Sequence, residues 1–201
     1  MDEGVIKFSG EQVDGEVPHP PALDELNRAR TELFDLGLIG CYDNGIGYGN
    51  LSLRETGNRF LITASATGAE RELRFEQFCL VESFDPERNS VRSRGPLMAS
   101  SESMTHGAIY AANPAAQCVI HIHSRALFDA LLAQGALHTA ADVPYGTPAM
   151  AQAVARLVRA QASLPVLFVM AGHDEGIVAY GADIASVRQL IVQTFSKTIA
   201  R

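Results

Sequence analysis

The chain has 201 residues, 47% of them apolar and 19% charged, with 16 Lys and Arg against 23 Asp and Glu. Such a length supports one sizeable core, and the composition is that of a globular chain rather than a disordered one. A formal net charge of -7 argues against a general nucleic-acid or anionic-membrane surface, since both need a basic footprint, yet leaves room for a small anion held by backbone N–H groups.

Residues 1–20 read as a Gly-, Glu- and Pro-rich lead-in around Val5, Ile6 and Phe8, with room for one edge strand. Asp2 and Glu3 stand where a signal peptide would carry a basic segment. No apolar run approaches the roughly 20 residues that cross a bilayer; the longest, Leu164 to Met170, is strand-sized. Cys41, Cys79 and Cys118 are odd in number and lack C-x-x-C spacing. They read as reduced, buried thiols in a cytoplasmic protein.

From residue 21 to 201 we expect one domain. Leu23, Leu26, Ala29, Leu33 and Leu36 recur at three and four residues, one face of a helix that Gly37 and Gly40 stop. Strands follow at Tyr48–Arg54 and Arg59–Thr63, joined across Glu55-Thr56-Gly57-Asn58 as a hairpin, then at Phe78–Phe84 before a turn at 85–89. Beyond it helices and strands alternate: helix Ser103–Ala112, strand Gln117–His123, helix Ala126–Gln134. Another helix has Thr147 as N-cap and Pro148 at its first position. Strands Val166–Met170 and Gly176–Tyr180 precede a last helix capped by Asp183, with Ile184, Val187, Ile191 and Phe195 facing inward. The pattern predicts an α/β protein whose mixed sheet is covered on both faces.

The sharpest chemical feature is His121-Ile122-His123 on a strand. Side chains there repeat every two residues, so both imidazoles face the same way, half of a zinc-type site. The spacing alone is modest evidence, because paired histidines also occur as core residues. His173, in the Gly-flanked turn after the Leu164–Met170 run, is the best third ligand; His106, His19 and His138 compete. Ser100-Ser101-Glu102 precedes a helix and offers free N–H groups, with Glu102 a candidate general base or merely a first-turn carboxylate suited to the dipole. Gly49-Asn50 and Thr67-Gly68 are turns able to wrap an anion, without Walker or Rossmann spacing.

In order along the chain, Gly49-Asn50-Leu51-Ser52, Leu61-Ile62-Thr63, Thr67-Gly68, Ser100-Ser101-Glu102, His121-Ile122-His123-Ser124, Tyr145-Gly146-Thr147 and Gly172-His173 resemble the class II aldolase/adducin family. That resemblance implies a three-layer α/β/α sandwich with a largely antiparallel central sheet, often assembled as a homotetramer. It implies His121, His123 and His173 as ligands of a divalent ion, most often Zn2+ with Mn2+, Co2+ and Ni2+ as variants. Glu102 is implied as the proton-shuttling acid, and Asn50, Thr67, Gly68, Ser100 and Ser101 as the phosphate corner. The implied activity is aldolase-type cleavage of a small hydroxy-carbonyl substrate, such as a sugar phosphate, through a metal-stabilised enediolate. Dehydration or epimerisation on the same fold, or a non-catalytic adducin-like module, are the alternatives.

Three departures from the family pattern stand out. The interval between His123 and Tyr145 contains no tyrosine, where the resemblance implies a proton-donating one, and Tyr145 and Tyr110 are the candidates to stand in for it. Asp174 and Glu175 add two carboxylates beside the third ligand, to bind the ion, tune it or face water. Ala64-Ser65 is an insertion that reshapes the phosphate corner.

Overall fold

Alternation of period two gathers most of the middle of the chain into one sheet, as seen in a computed structural model that describes residues 5–199. The first four residues of the expected lead-in and the last two of the expected domain lie outside the described residues. The elements run β1 (Ser9–Val13), α1 (Pro21–Asp35), β2 (Gly40–Cys41), β3 (Gly47–Tyr48), β4 (Asn50–Thr56), β5 (Arg59–Thr63), β6 (Phe78–Asp85) and β7 (Ser90–Arg94). They continue α2 (Ser103–Ala112), β8 (Cys118–His123), α3 (Arg125–Ala133), α4 (Pro148–Arg159), β9 (Val166–Val169), β10 (Gly176–Gly181) and α5 (Ile184–Ile199). Eight strands form one sheet in the order β1-β7-β6-β5-β4-β8-β10-β9. Every pairing in it is antiparallel except β1 with β7.

Helices cover both faces, giving the expected three-layer α/β/α architecture. On one face Cys118, Ile120 and Ile122 of β8 pack with Leu26 and Leu33 of α1, Leu127 of α3 and Val187 and Ile191 of α5. On the other, Val119 and Val178 pack with Met104 and Ile109 of α2 and Met150 and Val154 of α4. Each large aliphatic side chain so removed from water contributes roughly 1.5–3 kcal/mol. Caps read from sequence are in place: Thr147 accepts from the Met150 N–H at 3.2 Å and Asp183 from the Ser186 N–H at 2.7 Å. Among the described residues no helix is long and apolar enough to cross a membrane.

The strand expected at Tyr48–Arg54 is broken at Gly49, whose φ is +78, so that Tyr48 pairs in a separate β2–β3 ribbon and only residues from Asn50 join the large sheet. Three further details differ from the sequence reading. The β4–β5 hairpin is tighter than expected: Thr56 pairs with Arg59, so only Gly57 and Asn58 turn, and Gly57 has φ +57. A positive φ at the first turn residue matches the right-handed twist of the strands. Strand β7 was missed. Its sequence Ser-Val-Arg-Ser-Arg hides a strand because Arg92 and Arg94 satisfy their charge on Glu82 of β6 instead of facing open water. Finally, Cys79 and Cys118 are buried as expected, but Cys41 is half-buried; all three are free thiols.

Candidate metal centre

The period of β8 sends His121 and His123 to the α2/α4 side of the sheet. Antiparallel pairing with β10 sets His123 opposite Gly176 and His121 opposite Val178, so the turn between β9 and β10 arrives beside them. That turn is closed by bonds from the His173 N–H to Met170 (2.8 Å) and from the Gly176 N–H to His173 (2.9 Å). Gly172 is required here, because a Cβ would run into the carbonyl of Val143.

The three rings meet with centroids 4.8, 5.0 and 4.9 Å apart. One nitrogen from each lies within 4.8 Å of the other two. All three residues are at most 2% exposed. His121 Nε2 is buried with no hydrogen-bond partner, an arrangement costly unless something else takes its lone pair. Burial, with lesser contributions from His123, His173 and His106, holds the His121 pKa well below the usual imidazole range. A neutral ring is the form that ligates a cation. The residues present therefore fit a divalent ion, with nitrogen donors of the kind zinc favours.

Glu102 stands at the N-cap position of α2, yet its side chain makes no capping bond. The carboxylate, 1% exposed, instead lies 3.7 Å from His173 Nδ1. The carboxylate therefore sits at the helix N-terminus but is turned toward the imidazoles. The competing histidines fall away. His106 is turned into the core, where Nδ1 meets Ser52 Oγ at 2.6 Å; His19 stacks on Phe75; His138 faces the carbonyl of Thr139 at 2.8 Å.

A second layer of side chains holds the imidazoles. Asn50, opposite His121 across the β4–β8 pair, sets its amide 3.3 Å from His121 Nδ1. Tyr42 Oη lies 3.1 Å from His123 Nδ1 and donates to Glu175 Oε2 at 2.8 Å. Tyr145 stacks on His173, 4.2 Å between centroids, and the Lys7 ammonium sits 3.8 Å from the centroid of the Tyr145 ring. Of the two proton-donor tyrosines considered, Tyr145 is therefore at the site. Tyr110 is not: it is fully buried and bonded to Ser52 at 2.8 Å. Asp174 pairs with Arg125 at 2.5 Å, and neither it nor Glu175 belongs to the cluster of prospective ligand atoms. Sequence reading missed Tyr42, which lies 81 and 133 positions from its two partners. No local pattern marks it.

Beside the triad lies a cavity of about 250 Å³ whose walls include Asn50, Thr67, Gly68, Ser100 and Ser101, together with Val5 of the lead-in. All five residues read as an anion corner are thus brought together. Main-chain bonding of Ser65 to Met98 at 2.8 Å and a bridge between Ala64 and Ala99 hold its two walls side by side. Ala64, Ser65 and Ala66 line it too, so the insertion is part of the wall. Thr67 Oγ1 donates to the carbonyl of Ala64 at 2.8 Å, which turns its proton into the loop and not toward a guest. Asn50 Oδ1 is buried and has no hydrogen-bond partner, and Asn50 joins the cavity to the imidazole cluster.

The fold and site together define a three-layer α/β protein with a buried imidazole cluster fit for a divalent ion and a cavity beside it. The model of the class II aldolase and adducin N-terminal domain matches residues 42–194, and the chain belongs to that family. Among solved structures it is similar to YgbL from Klebsiella pneumoniae (21% identity, TM-score 0.64, covering 88% of this chain and 86% of that one). It is similar as well to L-fuculose-1-phosphate aldolase from Thermus thermophilus (22%, 0.60, 87% and 89%) and to a sugar-phosphate aldolase from Thermotoga maritima (16%, 0.62, 89% and 94%). No curated protein matches the sequence.

Proposed function

We propose that the protein is a divalent-metal-dependent, aldolase-type lyase acting on a small hydroxy-carbonyl compound, with a sugar phosphate as the leading class, in one domain from residue 21 onward. The observation that carries this reading is the convergence of three buried imidazole nitrogens within 4.8 Å of one another, with the Glu102 carboxylate against His173.

In this reading His121, His123 and His173 hold the ion, zinc being the first choice for neutral imidazole donors. A bound divalent ion supplies Lewis acidity to the carbonyl and hydroxyl oxygens of the substrate. Glu102 moves the proton at the reacting carbon, its carboxylate being free of capping duty. Asn50, Ser100 and Ser101 hold the anionic end of the substrate in the cavity, with the main chain at Thr67 and Gly68 completing the corner. Tyr145, stacked on His173, excludes water from one side of the cluster and is the tyrosine within reach to return a proton to the leaving fragment.

The test is metal analysis of the purified protein and of His121→Ala, combined with a panel of phosphorylated and unphosphorylated hydroxy-ketones and hydroxy-aldehydes followed by NMR. Bound metal in the native protein, its loss in the variant and chelator-sensitive carbon–carbon cleavage are expected. A native protein that binds no divalent metal would sink the reading, and dehydrated or epimerised products would replace the aldolase-type assignment.

A further inference from the structure

Tyr42 and Glu175 carry an arrangement that the aldolase-type reading does not use. Tyr42 opens the short turn between β2 and β3, fixed by bonds from its own N–H to Ile46 and from the Gly45 N–H back to it, both 2.9 Å. Its hydroxyl sits between a histidine and a carboxylate, 3.1 Å from His123 Nδ1 and 2.8 Å from Glu175 Oε2. A tyrosine hydroxyl has one proton to give, and an ionised carboxylate only accepts. With that proton donated to Glu175, the bond to His123 has one remaining sense: Nδ1–H donates to the Tyr42 oxygen. The proton of the neutral ring is then on Nδ1, and the lone pair is on Nε2.

Glu175 is held in place at a conformational cost. Its φ is +63, a left-handed backbone that disfavours any residue with a Cβ and that glycine adopts freely. Non-glycine residues kept in this region cluster where their side chains are needed. Here the side chain reaches Tyr42 through one oxygen, and Arg125 Nε approaches the other at 3.3 Å.

We propose that Tyr42 and Glu175 are positioning residues for the metal ligand His123: a carboxylate–tyrosine–histidine relay that locks the imidazole in its Nδ1–H form and orients its other nitrogen toward the ion. The proposal rests on the metal-centre reading of the three histidines. Partners of this kind tune affinity without touching the ion, and losing one typically weakens binding about 10- to 100-fold.

The experiment uses zinc competition against a chelator on the full-length protein, with nitrogen-15 NMR of the histidine rings in the zinc-free state. Tyr42→Phe and Glu175→Gly should each weaken zinc about 10- to 100-fold. Glu175→Gly relieves the left-handed strain, so its thermal midpoint should not fall. Glu175→Gln, whose amide oxygen still accepts from Tyr42, should stay close to the native affinity. In the zinc-free protein His123 should be the Nδ1–H tautomer, and should become a tautomer mixture in Tyr42→Phe. Native affinity in Tyr42→Phe or Glu175→Gly, or a Glu175→Gln protein as weak as Glu175→Gly, overturns the relay. So does an unchanged His123 tautomer in Tyr42→Phe. A native protein that binds no zinc sinks the metal reading instead, while the ring tautomers still decide whether Tyr42 orients His123.

Discussion

The guanidinium of Arg30, buried beneath α1, donates to the main-chain carbonyl of Thr67 at 2.8 Å. The same side chain donates to the carbonyls of Glu70 at 2.5 Å and Arg71 at 3.1 Å. Burial lowers its pKa to about 10, Glu70 opposing, so it remains charged at neutral pH. One cation thus ties the first helix to the loop that walls the cavity.

Arg30→Met should therefore destabilise the protein by about 1–3 kcal/mol, because it takes a charged donor from the buried carbonyl of Thr67 and from the part-buried carbonyls of Glu70 and Arg71. Urea denaturation gives the figure, and hydrogen exchange should show faster opening of residues 64–71. A loss below about 1 kcal/mol, the scale of an ordinary surface change, would mean that the loop holds itself.

Glu102→Gln keeps the shape and removes the carboxylate proposed to move the proton. We expect bound metal to stay at the native level while the turnover number drops about 10²- to 10⁴-fold, the usual weight of a proton-transfer group. Solvent deuterium should cease to enter the substrate. Exchange at the native rate would take Glu102 out of the mechanism.

Gly68 has no room for a side chain: a Cβ there would strike the carbonyl oxygen of Gly40 and the Cα of Gly47. Gly68→Ala must displace main chain on one side of the cavity, at a cost of about 1–3 kcal/mol. Calorimetry with inorganic phosphate should show weakened binding, since both Gly47 and Gly68 line the cavity. Equal phosphate binding in both proteins would place the anion elsewhere.

Buried histidines make stability depend on pH. Burial pushes the His106 pKa from 6.5 down to about 3, and His121 is lowered as well, first by burial and then by its histidine neighbours. As the pH falls through 6.5 the unfolded chain takes up protons that folded His106 refuses until about 3. The contribution is therefore complete above the unfolded value and is lost on acidification through that window. Each decade of proton concentration costs up to about 1.4 kcal/mol per such residue. Urea midpoints of metal-free protein should fall between neutral pH and pH about 5. His106→Gln should show a shallower slope, and a slope matching the native one would clear His106 of the effect.

Much of the layer structure was legible because it follows from local periodicity. Of the expected face, Leu23, Leu26, Ala29 and Leu33 are buried in α1, whereas Leu36 is the residue that ends the helix and is exposed. Strand β7 was obscured, whereas the edge strand for which the lead-in had room is β1, at the end of the sheet. In β7, arginines paired to Glu82 break the apolar alternation. In β1, the strand Ser9–Val13 begins just past the apolar patch around Phe8, and its parallel pairing to β7 is a long-range choice that no local signal carries.

At the site, the sequence by itself determined that His121 and His123 share a face, since a strand repeats every two residues. It also supplied the small and polar residues that became the cavity wall. Only the tertiary structure decided which third histidine joined them. Pairing of β8 with β10 delivers His173, while the helical turn carrying His106 points that ring into the core. The same holds for Tyr42, Glu175 and Arg30, whose partners stand between 37 and 133 positions away. Periodicity is written in neighbouring residues, but coordination and hydrogen bonding depend on distances of a few ångströms between segments, and those are set only when the sheet closes.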